Sequence, residues 1–201
     1  RRPRSGVEDS ARETLKILSL RGVPNAFGPQ RFGARKNSAE VGRALALGDW
    51  GRAVECLLGR CLEGGGEEAD REGQSRADEA AERFRDGDLI GSRRLYPESW
   101  RAEQRVLAAM IDGASPEKAM RTITRRERAL FASAFQAAVF NVSLAQRMAG
   151  DTHAEILAGD VVVNHRSEKI RRVGDPAKER AARVAFEISP TGPLIGEKML
   201  E

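Results

Sequence analysis

The stretch Thr124-Arg125-Arg126-Glu127-Arg128-Ala129-Leu130-Phe131-Ala132-Ser133-Ala134-Phe135-Gln136-Ala137-Ala138-Val139-Phe140-Asn141-Val142-Ser143-Leu144-Ala145-Gln146-Arg147-Met148 reads as one long helix. Thr124 and Glu127 make a capping box at its start. Leu130, Phe131, Ala134, Phe135, Ala138 and Val142 spread over a wide apolar face, which predicts a central helix. The flanks decide the class. Upstream the apolar spacing stays helical. Residues 7–20 put Ala11, Leu15 and Leu18 on one face, with Asp9 or Ser10 as cap and Gly22 past the end. Residues 38–62 form a helix pair broken at Gly48-Asp49. Residues 77–84 suit a solvated helix. Residues 100–111 form an amphipathic helix ending at Gly113, and Ser115-Pro116 opens a short one through Ile123. After Gly150 come short runs at 160–163, 170–173 and 184–188, which read as strands, then the turn Ser189-Pro190-Thr191-Gly192-Pro193. The expected class is α+β, a helix-rich domain with a small late β-sheet.

Composition narrows the function classes. The chain has 201 residues, 40% apolar and 32% charged, too apolar for a disordered chain and long enough to bury a core. Two cysteines exclude a disulfide scaffold and make a reducing, cytoplasmic setting the default. No apolar run approaches the roughly 20 residues of a membrane span, and no apolar stretch follows Arg1-Arg2-Pro3-Arg4 as a signal peptide requires. The first residue is Arg rather than Met, which leads us to expect a piece of something longer.

The net charge of +4 is unevenly spread. Residues 1–36 carry nine Lys/Arg and three Asp/Glu, whereas residues 63–88 hold ten acids and four bases. The basic segment suits a phosphate backbone or a solvated face. The acidic one, which follows Gly64-Gly65-Gly66 and is expected to be polar and flexible, should point away from any nucleic acid. Its acids lie in polar surroundings that would not raise a carboxyl pKa.

The common catalytic constellations are missing. Cys56 and Cys61 are five apart on a predicted helix, about 140° around its axis, and cannot comfortably share a metal. His153 and His165 are remote from both and read as surface or loop residues. No nucleophile elbow for a Ser/His/Asp hydrolase occurs. What remains is Gly22-Val23-Pro24-Asn25-Ala26-Phe27-Gly28-Pro29-Gln30-Arg31-Phe32-Gly33, with three glycines and two prolines dictating a turning backbone. Phenylalanine stacks on bases, arginine pairs with phosphate, and Asn or Gln reads base edges. The same loop also suits a structural role, with Phe27 and Phe32 as core plugs and Arg31 closing a domain interface.

This run resembles the signature of the TruD family of tRNA pseudouridine synthases, Gly-Val-Pro-Asn-aromatic-Phe-Gly-x-Gln-Arg-Phe-Gly, with Ala26 departing where Tyr is usual. Further blocks match in order. They are Val41-Gly42-Arg43-Ala44-Leu45 with Gly48-Asp49-Trp50, then residues 133–141 leading to Arg147, then Glu187-Ile188-Ser189-Pro190-Thr191-Gly192-Pro193-Leu194 with Gly196. The Gly-x-Lys-Asp motif that bears the family's catalytic Asp is absent, as are its Gly-Asn-x-Phe and Phe-x-Leu-Pro segments.

The resemblance implies a part of an enzyme that isomerises a tRNA uridine, by family expectation uridine 13 of the D-arm, to pseudouridine. It implies no cofactor and no metal, and no catalytic residue within this chain. Residues 1–36 would be a junction to the catalytic domain and 37–201 the family-specific insertion domain, with the polar insert at about 63–88. Residues near Leu20 and Glu201 should then lie close together. Asn25, Phe27, Gln30, Arg31 and Phe32 would edge an RNA cleft, of which this chain forms one wall, and Arg21, Arg35 and Lys36 would reach phosphates. The expected partners are tRNA and the catalytic domain of the same protein, in a monomer. The chain alone should be inactive. The alternatives are a non-catalytic RNA-binding or interaction module and an unrelated helical scaffold.

Overall fold

The computed structural model describes residues 6–59, 71–194 and 196, and the side chains of all but 71–75 among them. Two compact units result: a helical unit, Phe27–Val139, and a split unit made of Arg1–Ala26 and Phe140–Glu201.

The helical unit holds α2 (Ser38–Ala46), α3 (Trp50–Leu58), α4 (Arg71–Arg85), α5 (Leu89–Leu95), α6 (Arg101–Ile111), α7 (Pro116–Arg121) and the first part of α8 (Arg125–Ala149). Local chemistry sets most of these boundaries. Asp49 accepts from the Arg52 amide at 2.9 Å and starts α3 after the turn at Gly48. Ser115 and Pro116 open α7. The capping box forms as expected: the Glu127 amide donates to Thr124 Oγ1 at 3.2 Å, and the Thr124 amide to Glu127 Oε2 at 2.9 Å.

The core gathers Val41, Leu57, Leu58, Val106, Leu107, Met120 and Ile123. Ala77, Ala80 and Ala81 are fully buried too, so α4 is no solvated helix: small side chains let it lie close against its neighbours. Gly42 does the same for α2, because a Cβ there would stand 2.0 Å from the Phe131 carbonyl oxygen. The helix α5 escapes sequence periodicity, although Asp88 caps it through the Gly91 amide at 2.8 Å.

Four consecutive carbonyls at the end of α3 are capped by side chains. Asn37 Nδ2 donates to Cys56 O at 2.9 Å, and Arg35 Nη1 to Leu57 O at 2.7 Å. Tyr96 Oη takes Leu58 O at 2.7 Å, and Arg35 Nη2 takes Gly59 O. Arg35 also lies over the rings of Tyr96 and Trp100. It is only 5% exposed. That corrects its assignment as a phosphate contact: the guanidinium is occupied in holding a helix end.

The split unit contains α1 (Val7–Arg21), the end of α8, β1 (Val161–Asn164), β2 (Ile170–Arg172), α9 (Pro176–Val184) and β3 (Ile188–Pro190). The sheet is antiparallel in the order β2-β1-β3, with Val162 opposite Arg171 on one side and Pro190 on the other. Pro190 is tolerated because β3 is an edge strand. The core is small: Ile156, Val162, Val173 and Ile188. Two expectations fail here. Residues 184–188 are the end of α9, a turn and the start of β3, because Asp175-Pro176 caps and opens a helix that the apolar run obscured. The helix α8 buries only Ala134 and Ala137 and is not central.

By length and composition alone α8 could cross a membrane, with an 18-residue window of mean hydropathy 1.3. No unbroken apolar run announces it, because Ser133, Gln136, Asn141 and Ser143 interrupt the helix. Cys61, the Gly64–66 run, Arg1 to Arg4 and Glu201 fall outside the described residues, and with Glu201 the expected closeness of the chain ends.

Candidate functional site

The split unit forms a cavity of about 880 Å³ that is open to solvent on one side. Residues 21–25 form one side of it, where α1 ends and Gly22, at φ 79°, turns the chain away. The last turns of α8 supply Phe140, Leu144 and Arg147, and the run from Ser189 to Leu194 closes the far side. Thr191 ties that run to β1, donating through its amide and its hydroxyl to Val161 O, each at 2.8 Å. Gly192 presses on the Phe140 ring so closely that a Cβ would stand 2.1 Å from Cε2. A side chain at Gly192 would thus push the Phe140 ring aside, so glycine is favoured in the 189–193 turn by contact rather than by backbone angle.

Three guanidiniums line the cavity, each fixed differently. Arg147 donates to Asp160 Oδ1 at 2.7 Å, Thr152 O at 2.9 Å and Glu155 O at 2.7 Å, organising the loop between α8 and β1. Arg183 donates to the carbonyls of Ala154 and Arg21 and lies over Phe186, 5.0 Å from the ring centroid, with no carboxylate partner among the described residues. Arg21 pairs with exposed Asp151, and that hydrogen bond holds the Asp151 carboxyl below its ordinary value. Asp160, the one carboxylate on the wall among the described residues, is engaged by Arg147 and by the Leu157 amide at 2.8 Å. His153 also lines the wall, and its buried Nδ1 finds no partner among the described residues. The lining is thus cationic, with flat apolar surface from Pro24, Phe140 and Phe186. That combination holds an anion beside an aromatic ring. No cluster among the described residues could hold a metal ion.

The signature loop is divided between the two units. Asn25 is exposed on the cavity rim with Val23 and Pro24. Phe27, Gln30, Arg31 and Phe32 belong to the helical unit, where Pro29–Phe32 makes a single 3-10 turn. Arg31 Nη1 donates to Ser133 Oγ at 3.2 Å, and its guanidinium lies 5.3 Å from the Phe27 ring centroid. Gln30 and Arg31 are exposed, while Phe27 and Phe32 are half-buried. Lys36 is exposed in a left-handed turn at φ 54°. The wall residues Arg183 and His153 lie outside the signature loop and were not singled out by spacing. Arg147 was visible only as the residue that follows the 133–141 block. Cys56 is half-buried, and burial pushes its thiol up, away from reactivity.

The whole length of the chain resembles known proteins. Residues 2–201 match the model of the family described as tRNA pseudouridine synthase D (TruD). The tRNA pseudouridine synthase D of Geotalea daltonii is 39% identical over 188 residues, covering 93% of this chain and 45% of the relative. That of Geobacter sulfurreducens is 39% identical over 192 residues, 95% of this chain and 45% of the relative. The crystal structure of the putative tRNA pseudouridine synthase D of Methanosarcina mazei shares the fold. Its TM-score is 0.73 at 22% identity, over 93% of this chain and 45% of that one. The chain spans about half the length of the curated relatives it matches.

Proposed function

The chain belongs to the TruD family of tRNA pseudouridine synthases; on that premise we propose that it is part of a cytoplasmic, monomeric enzyme that isomerises a tRNA uridine to pseudouridine. The site is uridine 13 of the D-arm, the family's usual target. The reaction breaks the glycosidic bond and rejoins the base through carbon, with an Asp from outside these residues acting on the flipped nucleotide. Flipping costs on the order of a few kcal/mol. The chain's part is to offset that cost as one wall of the RNA cleft.

The observation that carries this reading is the cationic cavity at which the signature loop begins. Arg183, held by two carbonyls and the Phe186 ring with no carboxylate among the described residues, is suited to a phosphate, and Phe140 and Phe186 to a base or ribose. Asn25, Phe27, Gln30, Arg31 and Phe32 contact RNA at the edge, with Arg21 and Lys36 on phosphates. Arg35 is left out because it is buried. The helical unit, rather than all of 37–201, is the inserted domain, and the split unit packs against the catalytic domain of the same protein. In support, α1 leaves Leu15 and Leu20 exposed although it is amphipathic.

The test is to incubate a protein of the relatives' full length with tRNA and map pseudouridine by carbodiimide-adduct reverse-transcription stops. One new stop in the D-arm is expected, and none from the 201-residue chain alone. Tight tRNA binding without any pseudouridine would favour the non-catalytic RNA-binding module instead.

A further inference from the structure

Arg125 and Arg126 open α8 within the helical unit, and both are exposed. Neither guanidinium has a hydrogen bond or ion pair among the described residues. Their neighbours do: Arg121 is held by Glu117, Arg105 by Glu127, and Arg128 by the carbonyls of Arg121 and Ile123. Cations in a first helical turn also oppose the helix's own positive end, so neither arginine is placed there for helix stability.

What continues from them matters more. Arg126, Leu130 and Ser133 follow the four- and three-residue spacing of one helix face. Leu130 on that face is 57% exposed, and Ala129 and Ala132 beside it are exposed as well. The face reaches Ser133, where Arg31 of the signature loop donates its hydrogen bond. From Arg126 to Ser133 the helix rises about 10 Å. One uncovered stripe therefore runs from two unpaired arginines, over small and apolar side chains, to a third arginine stacked on Phe27.

We propose that this stripe is a track for the RNA backbone that extends the contact beyond the signature loop, with Arg125 and Arg126 each neutralising a phosphate. The inference rests on the RNA reading above and adds a binding surface to it. An acidic protein would meet the same charges, but the family resemblance and the continuity with Arg31 favour RNA.

The test is filter binding of bulk tRNA to the 201-residue chain across a salt series, comparing wild type with R125A/R126A, R125K/R126K and the exposed control R94A. The double alanine variant should bind roughly three- to tenfold more weakly near 0.1 M salt, and its log K against log salt slope should be shallower by about 1 to 2. The lysine pair should restore the slope, because a phosphate accepts either cation. If wild type binds and R125A/R126A behaves no differently from R94A, the track is wrong and the RNA reading stands. If wild type shows no binding at low salt, the RNA reading fails and takes the track with it.

Discussion

The helical unit and the split unit handle their apolar side chains in opposite ways. The first buries Val41, Leu57, Leu58, Val106, Leu107, Met120 and Ile123 around a common centre. The second buries four and leaves Val7, Leu15, Ile17, Leu20, Val142 and Met148 between 47% and 67% exposed. The lesson concerns the meaning of an amphipathic pattern. Both α1 and α3 are amphipathic, α1 the more weakly, yet α1 buries nothing and α3 buries Ala53, Val54, Leu57 and Leu58. A pattern announces a face that wants cover and does not name what covers it.

The comparison can be broken by mutation, since both tryptophans, Trp50 and Trp100, report on the helical unit alone. Leu107→Ala should have the largest effect, about 3 kcal/mol in urea unfolding followed by tryptophan fluorescence. Leu15→Ala in α1 should stay within about 0.5 kcal/mol of wild type by far-UV dichroism. Equal losses from the two would end the distinction between the units. Arg35→Ala comes next, at about 2 to 3 kcal/mol, because it strips donors from the α3 end and leaves buried carbonyls unpaired. A cost below about 0.5 kcal/mol would restore Arg35 as a surface residue. Arg147→Ala should leave the tryptophan transition unchanged while amide exchange quickens over 151–160, the loop whose carbonyls it holds.

The smallest effect concerns Glu103 on α6, whose carboxyl is pushed up by burial, against partial relief from its own amide and Arg35. A raised folded value means that the protonated form favours the fold. That stability is fully present below the ordinary value of 4.5 and lost as pH rises through the higher folded value. Glu103→Gln should therefore raise the unfolding midpoint at neutral pH and leave it unchanged near pH 4. A gain of equal size at both pH values would assign the effect to packing instead.

How much was legible in the sequence follows from how local each cause is. Asp49, Ser115-Pro116 and Thr124 with Glu127 act within a few residues, and the helices they start were visible. Asp88 and Asp175-Pro176 are signals of the same kind, but both were overlooked, the second under the β-like run from Val184 to Ile188. The burial of Ala77, Ala80 and Ala81 depends on a close helix approach that alanines allow without declaring it. Within the site, the 22–33 loop stood out through its glycines and prolines. Arg183 and His153 did not, because folding alone brings them to the cavity. Arg35 misled for the opposite reason: a charged side chain reads as surface until two carbonyls and two rings are seen to need it.

The α3 terminus has one more consequence. Its last four carbonyls, from Cys56 to Gly59, are satisfied by Arg35, Asn37 and Tyr96, all from elsewhere in the chain, so this helix end is already closed among the described residues. A segment attached to such an end can lengthen or shorten at little entropic cost, since loop closure grows only with the logarithm of length.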